Sequence, residues 1–127
     1  MKILSLVFAL TVFACAAPAP QVSEEEVLRE GMVSSSTYQV MVTTLADSPE
    51  DARIKGEPEA RRKAFNLIVR EPFFRGMLSD EGRRQLRLIV DQKGRVVRVH
   101  QEPDRSYTVV YQITQPGGIR DLFRNIR

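Results

Sequence analysis

The chain has one cysteine, one histidine and no tryptophan among its 127 residues. One cysteine cannot close an internal disulfide, so the fold has no covalent staple and must be held by its core. Cys15 and His100 alone cannot supply the clustered Cys/His ligands of a structural metal site. Nucleophilic catalysis needs a Ser, Thr or Cys within reach of an oriented base, and no G-x-S-x-G elbow accompanies His100. The seven glycines are too scattered for a phosphate-binding loop. Carboxylate pairs are few, and Asp80-Glu81 is read as the first turn of a helix, where the dipole favours acids. These absences exclude the common cofactor and metal chemistries, and no enzyme is expected. The apolar stretch from Ile3 to Ala14 is also too short for a helix crossing a ~30 Å hydrocarbon core.

That stretch has another use. Lys2 precedes it and Cys15-Ala16-Ala17-Pro18 follows it. A positive start, an apolar centre and small residues at the exit are the layout of an export signal. Two cleavage patterns overlap at its end. Ala14-Cys15-Ala16 offers small residues at −3 and −1 for cleavage after Ala16. Val12-Phe13-Ala14-Cys15 resembles a bacterial lipobox, in which the leader is removed before Cys15 and the sulfur carries a diacylglycerol. A lone thiol in an oxidising compartment is a liability that acylation removes, which favours the lipobox. Residues 1–14 are therefore expected to be a signal peptide. Residues 15–35 are expected to be a lipid-anchored tether with a short helix capped by Ser23, and residues 36–127 one domain. Ala16 after the cysteine favours the outer membrane under the enterobacterial sorting pattern.

Charge is distributed unevenly. From Cys15 to Asp51 seven residues are acidic and only Arg29 is basic; from Ala52 to Arg127 seventeen are basic against nine acidic. Arg outnumbers Lys fifteen to four, and Arg is the better bidentate partner of carboxylates and phosphates. An exported chain meets peptidoglycan, anionic lipid or another envelope protein rather than nucleic acid. Arg61, Arg62, Arg83, Arg84 and Arg87 are expected on two helices and form the candidate partner surface; the competing reading is a solvated helical face.

Tyr38 to Thr43 alternates apolar and polar residues, a strand signal. Ser48 and Pro49 start a helix, with a kink or restart expected at Pro58 because proline removes a donor and clashes with the turn before it. Ala60, Ala64, Leu67 and Ile68 then share one face. Phe73, Phe74, Met77 and Leu78 form an apolar cluster expected to cap the core. Ser79 caps a helix over Asp80 to Lys93 that buries Leu86, Ile89 and Val90, with Gly94 as its C-terminal cap. Arg95–Gln101 and Tyr107–Thr114 read as a hairpin, with Val97, Val109, Tyr111 and Ile113 joining Val40 on the buried face. Pro116-Gly117-Gly118 turns the chain, and Ile119, Leu122, Phe123 and Ile126 mark a last short helix. Three antiparallel strands with helices packed on one face, an α+β two-layer sandwich, would bury these stripes.

The run Glu59-Ala60-Arg61-Arg62-Lys63-Ala64, within Ala52–Leu67 and followed by a hairpin whose second strand reads Tyr-Thr-Val-Val-Tyr, resembles the small domains of LPP20-type lipoproteins. It is also similar to the N-terminal domain of the flagellar assembly protein T. The lipobox and Arg-rich composition resemble a leptospiral surface or periplasmic lipoprotein. These resemblances imply a non-enzymatic envelope protein, with no catalytic residues or cofactors to carry over. They also imply an alternative, a soluble periplasmic accessory protein of a flagellar or secretion assembly.

Overall fold

Alternating apolar strands need a cover, and three helices supply it on one face of a four-stranded sheet. The computed structural model describes residues 29–74 and 78–126. The leader, Cys15 and the helix expected after Ser23 lie outside the described residues, as do Met77 and the side chain of Phe73. The elements run β1 (Gly31–Ser34), β2 (Thr37–Leu45), α1 (Pro49–Ile68), a 3-10 turn (Pro72–Phe74), α2 (Asp80–Lys93), β3 (Gly94–Gln101), β4 (Ser106–Thr114) and α3 (Ile119–Arg124). The sheet is antiparallel with the order β1-β2-β4-β3. The α+β class is as expected, but there are four strands and not three. The additional strand, Gly31-Met32-Val33-Ser34, is too short to show an alternation, and it pairs with β2 through Gly31–Gln39 and Met32–Tyr38.

Helix α1 runs unbroken through Pro58. Its start follows from capping: Ser48 Oγ accepts from Asp51 N at 3.1 Å, Pro49 occupies the first turn, and Glu50 and Asp51 face the helix dipole. Pro58 and Ile54, whose carbonyl loses its partner to the proline, both lie on the exposed side. Water can therefore satisfy that carbonyl, and the expected restart is not needed. On the other side Ala52, Gly56, Ala60, Ala64 and Ile68 recur every four residues and are all buried. Four small residues in line let the helix lie close on the sheet. A Cβ on Gly56 would stand 2.7 Å from Val109 Cγ2, so the glycine that seemed to weaken the helix is where it meets β4.

Gly94 caps the C-terminus of α2 as expected, its N–H donating to Val90 O, with a φ of −93° that is ordinary for any residue. It follows Lys93 directly into β3, and a Cβ there would run into the Tyr111 ring. Space, not dihedral freedom, excludes a side chain. Strand β3 also departs from simple alternation. Its register with β4 shifts between Val96 and Arg98, a bulge that places Val96 opposite Tyr111 and Val99 opposite Val109. Val96 and Val99 therefore pack inward, while Val97 is 41 % exposed. The expected inward placement of Val97 is wrong by this one inserted residue.

The main core joins Tyr38, Val40, Tyr111 and Ile113 of the sheet to Ala60, Ala64, Ile68, Leu86, Val90, Ile119 and Phe123 of the helices. Phe74 packs on Phe123 at 6.0 Å between ring centres, and Leu78 lies partly buried against the same cluster. A smaller cluster of Ala52, Tyr107 and Val109 continues the core beneath the first turns of α1. Tyr38, almost fully buried, donates its hydroxyl proton to Glu71 Oε1 at 3.0 Å. No helix among the described residues is long and apolar enough to cross a membrane.

Candidate functional site

Helices α1 and α2 pack side by side on the sheet, and the seam between them opens into a cleft of about 430 Å³. Arg61 and Arg62 enter it from α1 and Arg87 from α2, with Pro58, Phe65 and Val90 as apolar walls and Asn66 and Asp91 at the rim. Helical spacing explains the convergence. Positions 58, 61, 62, 65 and 66 lie on successive turns beside the buried Ala60–Ala64 stripe, and 87, 90 and 91 do the same beside Leu86.

The three guanidinium groups differ in their surroundings. Arg61 Nη2 donates to Glu57 Oε1 at 2.6 Å, one turn back. Its Nε is buried, with the Tyr111 hydroxyl beside it as an acceptor and Asp91 Oδ1 3.9 Å away. The Tyr111 hydroxyl beside it donates to Val90 O at 2.6 Å. Burial pushes that hydroxyl above the ordinary phenol range, with the Arg61 cation pulling the other way. Arg87 stacks over the Phe65 ring, its Cζ 4.8 Å from the centroid, a cation–π contact that fixes the planar group and leaves its N–H edges outward. Arg62 and Arg87 have no carboxylate partner among the described residues. Such a set can grip a carboxylate or phosphate.

Of the five arginines expected to form one surface, Arg61, Arg62 and Arg87 meet in the cleft. Arg83 and Arg84 do not line it. They stand exposed on the first turns of α2, Arg84 3.6 Å from Glu81 in an open ion pair worth little. Phe65, Asn66 and Asp91 were not singled out as site residues from sequence; Phe65 lies at the edge of the buried face of α1, and that position is what lets Arg87 cover it. His100 lies exposed on β3 opposite Thr108. The amides after Gly117 are spent within the fold, Gly118 N donating to Gln115 O and Ile119 N to Ser35 O. No group of three His, Cys, Asp or Glu among the described residues is placed to hold a metal ion.

Comparison with known proteins finds no matching family model, no matching curated protein and no matching solved structure.

Proposed function

We propose that this chain is a small bacterial envelope lipoprotein, anchored through Cys15, whose domain is a non-enzymatic interaction module holding an anionic partner between α1 and α2. The observation that carries the binding role is the convergence of Arg61, Arg62 and Arg87 on one cleft, with Arg62 and Arg87 lacking a carboxylate partner among the described residues. The lipid anchor rests on the leader and on Val12-Phe13-Ala14-Cys15, and the resemblance to LPP20-type lipoproteins supports the same address. The outer membrane is favoured, and the partner is an envelope protein or peptidoglycan carrying exposed carboxylates.

Two experiments test the two halves. Cell-made protein should enter the detergent phase of Triton X-114. Recovery in the aqueous phase would instead select the soluble periplasmic accessory protein cleaved after Ala16. Purified domain should bind peptidoglycan or an acidic peptide at low salt and release it at high salt, since exposed charges are screened over ~8 Å at physiological ionic strength. Arg62→Glu with Arg87→Glu should weaken that binding by roughly tenfold or more without unfolding the domain. Binding unchanged by the double reversal would leave these residues as a solvated helix face.

A further inference from the structure

The point where the N-terminal segment joins the domain is held firmly, and it borders a second basic groove. Gln112 Nε2 donates to Gln39 Oε1 at 2.7 Å, and Gln39 Nε2 donates to Arg29 O at 2.9 Å. Gln39 is only 3 % exposed, so this amide relay fixes Arg29 from inside the sheet. Glu30 is fixed next to it, accepting from Met41 N at 3.1 Å and pairing with Lys63. From that junction a groove of about 540 Å³ opens between β1 and α3. Arg29, Arg120 and Arg124 line it, with Asp121 as its one acid and Met32 and Val33 as its apolar part. Asp121 lies 3.9 Å from Arg124 with both side chains about three-quarters exposed, too open a pair to neutralise the groove. Arg29 and Arg120 have no carboxylate partner among the described residues. The groove shares no lining residue with the α1/α2 cleft.

Thirteen residues, 16–28, separate Cys15 from this junction. Fully extended they span at most about 45 Å, and a flexible chain of that length averages about 20 Å end to end. If Cys15 carries lipid, the tether from the bilayer meets the domain at Arg29, on the edge of this groove. We propose that the Arg29–Arg120–Arg124 groove is a membrane-docking surface that seats phosphate headgroups of anionic lipid, with Met32 and Val33 against the interface, so that the tethered domain lies in one orientation. The orientation rests on the lipoprotein reading. The lipid-binding chemistry does not, because it is carried by charge complementarity. Acyl chains and a basic patch are complementary membrane signals: the first holds the protein, the second sets how it sits.

The test separates the two. The processed chain from residue 15 onward, carrying Cys15→Ser and therefore no acyl group, is mixed with vesicles of phosphatidylglycerol and phosphatidylcholine or of phosphatidylcholine alone. It should sediment with the anionic vesicles at low salt and not with the zwitterionic ones. Each interfacial Arg contributes about fivefold, so Arg120→Gln with Arg124→Gln should lower partitioning about 30-fold while the far-ultraviolet spectrum is unchanged. Arg95→Gln with Arg98→Gln, the same loss of charge on exposed residues of β3 at the opposite edge of the sheet, should leave vesicle binding near its original value. Glycerol phosphate at millimolar concentration should compete weakly, since a single phosphate lacks the surface. Hydrogen exchange on anionic vesicles should slow over residues 29–35 and 118–124. The proposal is overturned by equal binding to both vesicle types, by insensitivity to the Arg120/Arg124 pair, by an equal loss of binding in the Arg95/Arg98 variant, or by full competition from glycerol phosphate. Aqueous partitioning of cell-made protein in Triton X-114 would remove the anchor and its orientation while leaving these vesicle results to stand or fall alone.

Discussion

Replacing Gly56 with alanine should destabilise this domain, although glycine inside a helix is normally the weaker choice. In an open helix interior the change is favourable by about 1 kcal/mol, because alanine restricts the unfolded chain and leaves less backbone exposed. Here the new Cβ would lie 2.7 Å from Val109 Cγ2 and 3.0 Å from Val109 Cβ. Ordinary carbon contacts fall at about 3.5–4.0 Å, so close to 1 Å must be found. Val109 is β-branched, stiff at χ1 and fully buried against Ala52 and Tyr107, so it cannot rotate away. The helix must lift, loosening Ala52 and Ala60 from the sheet. Overpacking of this kind costs about 1–3 kcal/mol or more. Set against the helix gain, the net loss is up to about 2 kcal/mol, or up to about 16 °C in melting temperature for a domain of this size. Val109→Ala removes Cγ1 and Cγ2 and opens a small cavity at the same place. In that background the 2.7 Å contact is gone but the Cβ at position 109 still lies 3.0 Å from the new methyl, so Gly56→Ala should be about neutral there. The difference between the two backgrounds is a coupling of up to about 2 kcal/mol, within the range for residues in contact. Urea titration of the four proteins by far-ultraviolet circular dichroism measures it, provided the denaturant slope stays constant. A wild-type background stabilised by Gly56→Ala, or the same shift in both backgrounds, would mean that α1 does not rest on Val109.

The bulge in β3 makes a second sharp contrast. Val97→Asp should change stability by no more than about 0.5 kcal/mol, since Val97 faces solvent. Val99→Asp should cost several kcal/mol, by placing an unpaired carboxylate in the Ala52–Tyr107–Val109 cluster; thermal melts of the pair decide it, and the opposite order would restore simple alternation. A third prediction concerns alkaline pH. Burial, and then the Glu71 carboxylate that accepts its hydrogen bond, raise the Tyr38 pKa well above that of a free phenol, and burial raises Tyr111 as well. Both groups hold their protons longer when folded than when unfolded. Stability should therefore be constant up to the free phenol pKa of about 10 and fall above it. Tyr38→Phe should cost about 1 kcal/mol at neutral pH and flatten the fall between pH 10 and 11, read from urea midpoints at each pH. An unchanged slope in Tyr38→Phe would mean that the hydroxyl is not held inside.

The parts of the fold that could be read from sequence are those with a local chemical cause. Ser48-Pro49 and Ser79 mark helix starts because their side chains and ring geometry act within one turn. Ser48 and Ser79 accept from Asp51 N and Gly82 N as their positions imply. The alternation of Tyr107, Val109, Tyr111 and Ile113 is visible because β4 is central and buried on its inward side. What could not be read depends on partners distant in sequence. Gly56 looked like a flaw because its reason for being glycine is Val109, fifty-three residues away. Gly94 caps α2 as its position implies, but what requires glycine there is the Tyr111 ring. Val97 was assigned to the wrong face because a bulge leaves no mark in a run of Val-Val-Arg-Val. Strand β1 was missed because four residues carry too little pattern to separate a strand from a tether.

The basic residues follow the same division, and this is why the candidate site was only half visible. Five arginines on two helices could be listed from sequence, but which of them meet depends on the angle and register at which α1 and α2 cross the sheet. The Gly56 stripe sets how deep α1 sits, and that depth brings Arg61 and Arg62 level with Arg87. Arg83 and Arg84, one turn earlier on α2, fall beyond the reach of that cleft. Arg87 needs Phe65 as a platform, and Phe65 is available because it sits at the edge of the buried face, where half the ring is core and half is wall. The second groove was harder still to see. Arg29 stands alone in an acidic segment, and Arg120 and Arg124 close the chain ninety residues later. Only the pairing of β1 with β2, and the bond from Ile119 N to Ser35 O, bring them to one place. The strand with the weakest sequence signal is thus the one that carries Arg29 to α3, and its loss should abolish the groove while sparing the α1/α2 cleft.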